Sequence, residues 1–249
     1  MKLIASDYDG TLRRPQDGIT NADREAIKRW RAAGNLFGVV TGRGPGMDRE
    51  LGRENVEYDF IIDFNGANIW NNKGELLKQT VGNGEKLYDS LSSMLRKDGD
   101  WADIITRTRS YFVTYEDKFV EERDTWVKNE EIKNVEEFMQ IYALCKNEED
   151  SLQISAELNE KYSDYMSPLV NGSWLNIAPT NVTKSYGIRE YAKLVEVEEK
   201  DIFTIGDSYN DLDMIKAFTG FSVLNGAEEI KAAASKVCDG ISGLIAELM

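Results

Sequence analysis

Short, unbroken apolar runs alternate with amphipathic stretches at both ends of the chain. Leu3-Ile4-Ala5, Leu36–Val40, Phe60-Ile61-Ile62, Ile202–Ile205 and Phe221–Leu224 are each long enough for one buried strand. Between them the apolar positions recur at helical spacing. Thr20 or Asn21 is placed to cap a helix that runs to Ala33, with Ile27 and Trp30 on its inner face and Gly34 as its stop. A short helix is expected after Pro45. Further helices are expected over Lys184–Leu194, Asn210–Ala217, Ala227–Ala234 and Leu244–Met249, with Val237 in a last edge strand. Ile69-Trp70, the turn Asn71-Asn72-Lys73-Gly74 and Leu76-Leu77 read as a hairpin. Buried strands alternating with helices predict a parallel sheet covered on both faces.

The rhythm changes after about Thr80. Gly84–Arg96 is helical in pattern, and Ile104–Tyr115 alternates Thr106, Thr108, Ser110 and Phe112 against Arg107, Arg109, Tyr111 and Val113, as a half-exposed antiparallel pair does. Asp117–Asn129 reads as a helix, Phe138–Leu144 as a strand and Glu148–Tyr162 as a helix. Asp164–Val170 and Trp174–Ala178 form a hairpin turning at Asn171-Gly172. The order αββαβαββ belongs to a different architecture from its flanks. The expected fold is therefore α/β, a Rossmann-like parallel sheet core with an inserted α+β domain. The first part of the core covers 1–80, the insert 81–180, and the second part of the core 181–249.

Composition narrows the function. A formal charge of -14 over 249 residues argues against a nucleic-acid partner, because such a surface repels a phosphate backbone. A small anion remains admissible, since local fields in a cleft can oppose the global one. There is no histidine, which excludes a His-based triad and a His-ligated zinc. The two cysteines, Cys145 and Cys238, form no metal-binding or redox pair and read as reduced, buried thiols. No apolar run approaches membrane-spanning length, and the charge at Asp7 comes too early for a secretion signal. A cytoplasmic location is the default expectation, and nothing in the chain fixes an oligomeric state.

Four short stretches carry the chemistry. Asp7-Tyr8-Asp9-Gly10-Thr11, Thr41-Gly42-Arg43 and Gly206-Asp207-Ser208-Tyr209-Asn210-Asp211 each follow a strand, and Lys184 opens a helix. Ligands of open parallel sheets sit outside the carboxyl ends of the strands, so these pieces are expected to meet at one sheet edge. They bring carboxylates, a hydroxyl, backbone amides and one ammonium. Oxygen-only ligands suit magnesium, and a hydroxyl with a free amide suits a phosphate oxygen. An ammonium at a helix start opposes the helix dipole, a mild cost that fits a role for Lys184 elsewhere, although an exposed lysine is the commoner explanation.

In sequence these stretches resemble the four motifs of the haloacid dehalogenase-like phosphatase superfamily, and the resemblance covers the whole chain. The insert resembles the type C2B cap of the Cof subfamily, and Asn65-Gly66-Ala67 matches a further signature of that subfamily. The resemblance implies Asp7 as nucleophile, forming an aspartyl phosphate, and Asp9 as the acid and then the base, with its backbone carbonyl on the metal. It implies Thr41, Gly42, Lys184 and Asn210 around the phosphoryl group. Asp7, Asp9, Asp207, Asn210 and Asp211 would hold Mg2+. Ser6, Tyr8 and Ser185 depart from the usual residues, and the insert is short, but no expected catalytic position is altered.

The implied reaction is magnesium-dependent hydrolysis of a small phosphorylated metabolite, such as a sugar phosphate. A phosphomutase of the phosphomannomutase type shares this kind of core and cap and is the alternative enzyme. A catalytically silent binding protein is the alternative from another class, against which the intact Asp7, Asp9, Lys184 and Asp207 stand.

Overall fold

The computed structural model describes residues 1–249, and the chain divides into two compact units. One comprises Met1–Gln79 and Thr183–Met249, the other Thr80–Val182. In chain order, the first unit begins with β1 (Leu3–Ser6), α1 (Asn21–Ala32), β2 (Leu36–Val40), α2 (Met47–Arg53), β3 (Phe60–Asp63), β4 (Asn68–Asn71) and β5 (Leu76–Gln79). Thr20 caps α1: its hydroxyl accepts from the Asp23 N–H at 3.1 Å, while Asp23 reaches back to the Thr20 N–H. Such a reciprocal cap contributes about 1 kcal/mol.

The second unit follows with β6 (Gly82–Asn83), α3 (Leu87–Met94), β7 (Trp101–Ile105), β8 (Ser110–Thr114), β9 (Glu137–Phe138), β10 (Gln140–Leu144), α4 (Glu148–Tyr162), β11 (Met166–Asn171) and β12 (Trp174–Pro179). Its five-stranded antiparallel sheet has the order β11-β12-β10-β7-β8, and β6 pairs with β9 alone. Ala102, Ile104, Val113, Ile141, Leu175 and Ile177 from the sheet share a core with Leu87, Leu91, Ile154 and Leu158 from α3 and α4. The β11–β12 hairpin turns through Gly172, whose φ of 58° is open to glycine without strain.

The antiparallel pair read across Ile104–Tyr115 forms as the β7–β8 hairpin, turning at Thr106, whose hydroxyl accepts from the Arg109 N–H at 3.2 Å and donates to the Arg109 carbonyl at 2.8 Å. One expectation in this unit fails. The helix expected over Asp117–Asn129 does not form, so the order αββαβαββ loses its second helix. Glu116 and Asp117 both have left-handed φ, near 50° and 55°, which stops a helix at its first turn. The backbone of Thr125–Val127 instead bonds β8, through Phe112 N–H to Thr125 O at 2.8 Å and Val127 N–H to Phe112 O at 3.0 Å. Pairing with an exposed strand edge outweighs the helical spacing of Phe119, Val120, Trp126 and Val127.

The first unit resumes with α5 (Lys184–Leu194), β13 (Ile202–Gly206), α6 (Leu212–Ala217), β14 (Thr219–Val223), α7 (Glu228–Ala233), β15 (Lys236–Cys238) and α8 (Ile241–Leu248). Its eight-stranded sheet has the order β15-β14-β13-β1-β2-β3-β4-β5, with only the last two pairings antiparallel. One face packs Ile4, Phe37, Val39, Ile61 and Ile205 against Ile27 and Trp30 of α1 and Ile241 and Leu244 of α8. The other packs Leu3, Ala5, Val40, Phe60 and Ile62 against Ile188, Tyr191, Met214 and Ile230. No helix is long and apolar enough to cross a membrane.

This topology dictates where a ligand sits. From β1 the chain winds outward through β2 and β3, then returns on the other side of β1 through β13, β14 and β15. The strand order therefore reverses beside β1, where open α/β sheets leave a crevice at the carboxyl ends. Ser6 is in register with Val39 on one side and Ile205 on the other, so Asp7, Thr41 and Asp207 leave three adjacent strands within one residue of the same level.

Candidate active site

Asp7 follows β1 directly and stays in the sheet's hydrogen bonding, its N–H donating to the Ile205 carbonyl at 3.0 Å. Its side chain is buried. Lys184 Nζ donates to Asp7 Oδ1 at 2.6 Å and to Asp211 Oδ1 at 2.6 Å, and Lys184 is completely buried. The placement of Lys184 depends on small residues. Thr183 caps α5, its hydroxyl accepting from the Tyr186 N–H at 3.3 Å. Any side chain on Gly66 would overlap the Thr183 carbonyl, and one on Gly187 would overlap Gly66 and Ile62. These glycines let the start of α5 press against the loop after β3.

Asp211 is fully occupied. Beyond Lys184, its Oδ2 accepts from the N–H groups of Asp207 and Ser208 at 2.9 and 3.1 Å. It fixes the backbone after β13 while sharing the ammonium. Asp207 is half-buried, and its Oδ1 accepts from the Thr11 hydroxyl at 2.7 Å. Gly10, at φ 87°, passes so close that any side chain there would overlap the Asp207 carboxylate. Asn210 is buried; its Oδ1 accepts from the Ser208 hydroxyl at 2.7 Å and its Nδ2 donates to Asn65 Oδ1 at 3.4 Å.

Oxygens of Asp7, Asp207 and Asp211 lie within 4.8 Å of one another. Burial raises the Asp7 carboxyl well above its ordinary range; Lys184 opposes this, and the charges of Asp211 and Asp207 add to it. Asp207 is raised to about 6, again by burial first and Asp211 second. Burial alone would depress Lys184, but Asp211 and Asp7 outweigh it and hold the ammonium above its ordinary value. One ammonium thus faces three carboxylates, and the cluster is short of positive charge. An oxygen-rich set with a charge deficit fits a divalent cation such as magnesium.

The remaining expected residues lie around this cluster. Thr41 is buried; its hydroxyl oxygen accepts from the Arg43 N–H at 3.1 Å, which leaves its proton to donate. Its loop is tied to the loop after β3 by Asn65 N–H to Thr41 O and Phe64 N–H to Arg43 O, both at 2.9 Å. Phe64 and Asn65 hold left-handed φ values near 50° to make that approach. Gly42 faces the Asn65 side chain, where a Cβ would sit only 3.0 Å from Nδ2. Asp9 is exposed, and both of its oxygens are taken by Arg43, from Nε and Nη2 at 2.6 Å each.

Sequence reasoning passed over Thr11, Asn65 and Arg43 as site-forming groups. Thr11 and Arg43 stand inside motifs already singled out, but their partners are 196 and 34 positions away. Asn65 was visible only as part of a subfamily signature.

Buried carboxylates around one lysine, at the reversal point of a parallel sheet, make an acid-rich site on an α/β fold. A family model described as haloacid dehalogenase-like hydrolase matches residues 4–242. The chain belongs to this family. Two Bacillus subtilis (strain 168) proteins are similar over nearly their whole length. YxeH is 28% identical over 94% of this chain and 91% of its own. The 5-amino-6-(5-phospho-D-ribitylamino)uracil phosphatase YcsE is 26% identical over 96% and 90%. Among solved structures, a sugar phosphatase of HAD subclass IIB superposes with a TM-score of 0.81 at 21% identity, covering 100% of this chain and 99% of that one. As a member of the haloacid dehalogenase-like hydrolases the chain is an enzyme.

Proposed function

We propose that the protein is a Mg2+-dependent phosphatase that acts on a small phosphorylated metabolite, sugar phosphates foremost, through an aspartyl phosphate on Asp7. The observation that carries this reading is the Lys184 ammonium, 2.6 Å from both Asp7 and Asp211, beside Asp207. Lys184 contacts Asp7 through Oδ1 alone. It also offsets the repulsion between an anionic nucleophile and an anionic phosphate, which is most of what phosphoryl transfer asks of a protein.

In the first half-reaction a carboxylate oxygen of Asp7 bonds to phosphorus as the bond to the leaving oxygen breaks, and Asp9 gives that oxygen a proton. In the second, Asp9 takes a proton from water as the water oxygen bonds to phosphorus, the bond to Asp7 breaks, and inorganic phosphate leaves. The Thr41 hydroxyl and the Gly42 N–H hold phosphoryl oxygens, with Asn210 behind them. Asp7 and Asp207, with the Asp9 carbonyl, would hold Mg2+. Asp211 holds Lys184 and the Asp207 and Ser208 amides in place beside the metal site. Bound Mg2+ supplies further charge neutralisation on the phosphoryl group.

The sugar-phosphate preference is supported by the subclass IIB sugar phosphatase that shares this fold. The test is a panel of sugar, nucleotide and amino-acid phosphates assayed for phosphate release with and without Mg2+. Release from at least one sugar phosphate, abolished by chelation, is expected. Mg2+-independent release, or release from none of the panel, would contradict the proposal.

A further inference from the structure

Asp9 stands on a turn, not in a strand. Gly10 follows at φ 87°, and the turn closes through Gly10 N–H to Arg13 O at 3.0 Å. Its side chain is 43% exposed, so nothing in the turn itself fixes where the carboxyl points. The reaction proposed above needs that carboxyl in one place, within hydrogen-bond reach first of the leaving oxygen and then of water.

Arg43 supplies the missing constraint. Its Nε and Nη2 each donate at 2.6 Å, one to each Asp9 oxygen, which is the planar two-point geometry that sets orientation as well as distance. The guanidinium lies over the ring of Tyr8, 5.2 Å from its centroid, and Tyr8 is fully buried between the two aspartates in sequence. At its other end Arg43 is fixed by its backbone: its N–H donates to the Thr41 hydroxyl at 3.1 Å and its carbonyl accepts from Phe64 N–H at 2.9 Å. One side chain thus connects the loop of Thr41 and Gly42 to the carboxyl of Asp9. An exposed ion pair adds little to stability, so the value of this one lies in aim.

We propose that Arg43 is the positioning residue for Asp9, holding its carboxyl in register with the phosphoryl anchors on Arg43's own loop. The inference rests on Asp9 acting as the acid and base of the reaction. Loss of the fork lets Asp9 sample other rotamers, and a misplacement of about 1 Å costs on the order of 10²-fold in rate. The loss falls most heavily where proton donation matters most, on substrates with basic leaving groups.

The test compares p-nitrophenyl phosphate with phenyl phosphate, which differ mainly in the basicity of the oxygen released. Wild type, Asp9→Asn, Arg43→Gln, Arg43→Lys and the double variant Asp9→Asn/Arg43→Gln are assayed with Mg2+. The readout is the ratio of kcat/KM for the two substrates, in which the fraction of folded enzyme cancels. Asp9→Asn is expected to lose at least about tenfold more on phenyl phosphate than on p-nitrophenyl phosphate. Arg43→Gln is expected to shift the ratio in the same direction, Arg43→Lys to do so less, and the double variant to be no worse than Asp9→Asn alone. If Asp9→Asn loses equally on both substrates, Asp9 is not the acid, and the reaction scheme falls together with this inference. If Asp9→Asn shifts the ratio and neither Arg43 variant does, or the losses in the double variant multiply, the scheme stands and Arg43 does not position Asp9.

Discussion

Replacing Asp63 by Asn should stabilise the protein above neutral pH and do so less in acid. Asp63 ends β3 and is 1% exposed. Its Oδ2 accepts from the Trp70 indole N–H at 2.8 Å, while its Oδ1 is buried with no partner. Burial raises its carboxyl from 3.8 to about 7, and hydrogen bonds from Asn68 and Trp70 offset only part of that. Between those two values the folded state holds a proton that the unfolded state releases. Stability therefore falls as pH rises through this window, and the penalty is complete above about pH 7. A shift of that size corresponds to about 4 kcal/mol, of which roughly 2.5 kcal/mol develops between pH 5 and pH 8.5. Asn keeps an acceptor for Trp70 and carries no charge, but its amide inherits the unpartnered position at a cost of about 1–3 kcal/mol. The constant cost moves both pH values together, so the difference between them is the diagnostic. Urea unfolding of both proteins, followed by tryptophan fluorescence in chelator, gives the stability change of Asp63→Asn at each pH. Asp7 and Asp207 titrate in both proteins and cancel. The change should be more favourable at pH 8.5 by roughly 2.5 kcal/mol; a pH-independent change would refute the reasoning.

Other expectations follow from the same geometry. Lys184→Met leaves Asp7 and Asp211 buried without their shared cation, and should lower stability by about 3–5 kcal/mol in urea unfolding while abolishing phosphate release. Retention of turnover would rule out the role given to Lys184. Asp207→Asn should raise the half-saturating Mg2+ concentration at least about tenfold in a Mg2+ titration of activity, while an unchanged value would remove Asp207 from the metal site. Gly10→Ala places a methyl into the Asp207 carboxylate and strains a φ of 87°. It should weaken apparent Mg2+ affinity about as much, and the same titration checks it.

Most of the first unit was legible because its central strands are buried on both sides and α1 and α5 carry side-chain caps at Thr20 and Thr183. Lys184–Leu194 begins where Thr183 caps it, and β2 spans the whole apolar run Leu36–Val40. The convergence of Asp7, Lys184, Asp207 and Asp211 followed from one rule, that ligands gather at the carboxyl ends of parallel strands. The second unit was harder. The periodicity around Phe119 and Trp126 is helical, yet the segment pairs with the edge of β8, a choice made by tertiary hydrogen bonds that no local pattern records. Arg43 belongs to the same category. Its motif reads as a phosphate loop, and only folding brings its guanidinium to Asp9.

The central claim is that Asp7 carries the phosphoryl group. Turnover of p-nitrophenyl phosphate with Mg2+ is quenched with borohydride, which reduces an aspartyl phosphate to homoserine, and the digested protein is mapped by mass spectrometry. Homoserine at position 7 is expected in the wild type with Mg2+ and in no sample lacking Mg2+ or carrying Asp7→Asn. An active wild-type enzyme with unmodified Asp7, or with homoserine at another position, would contradict the account.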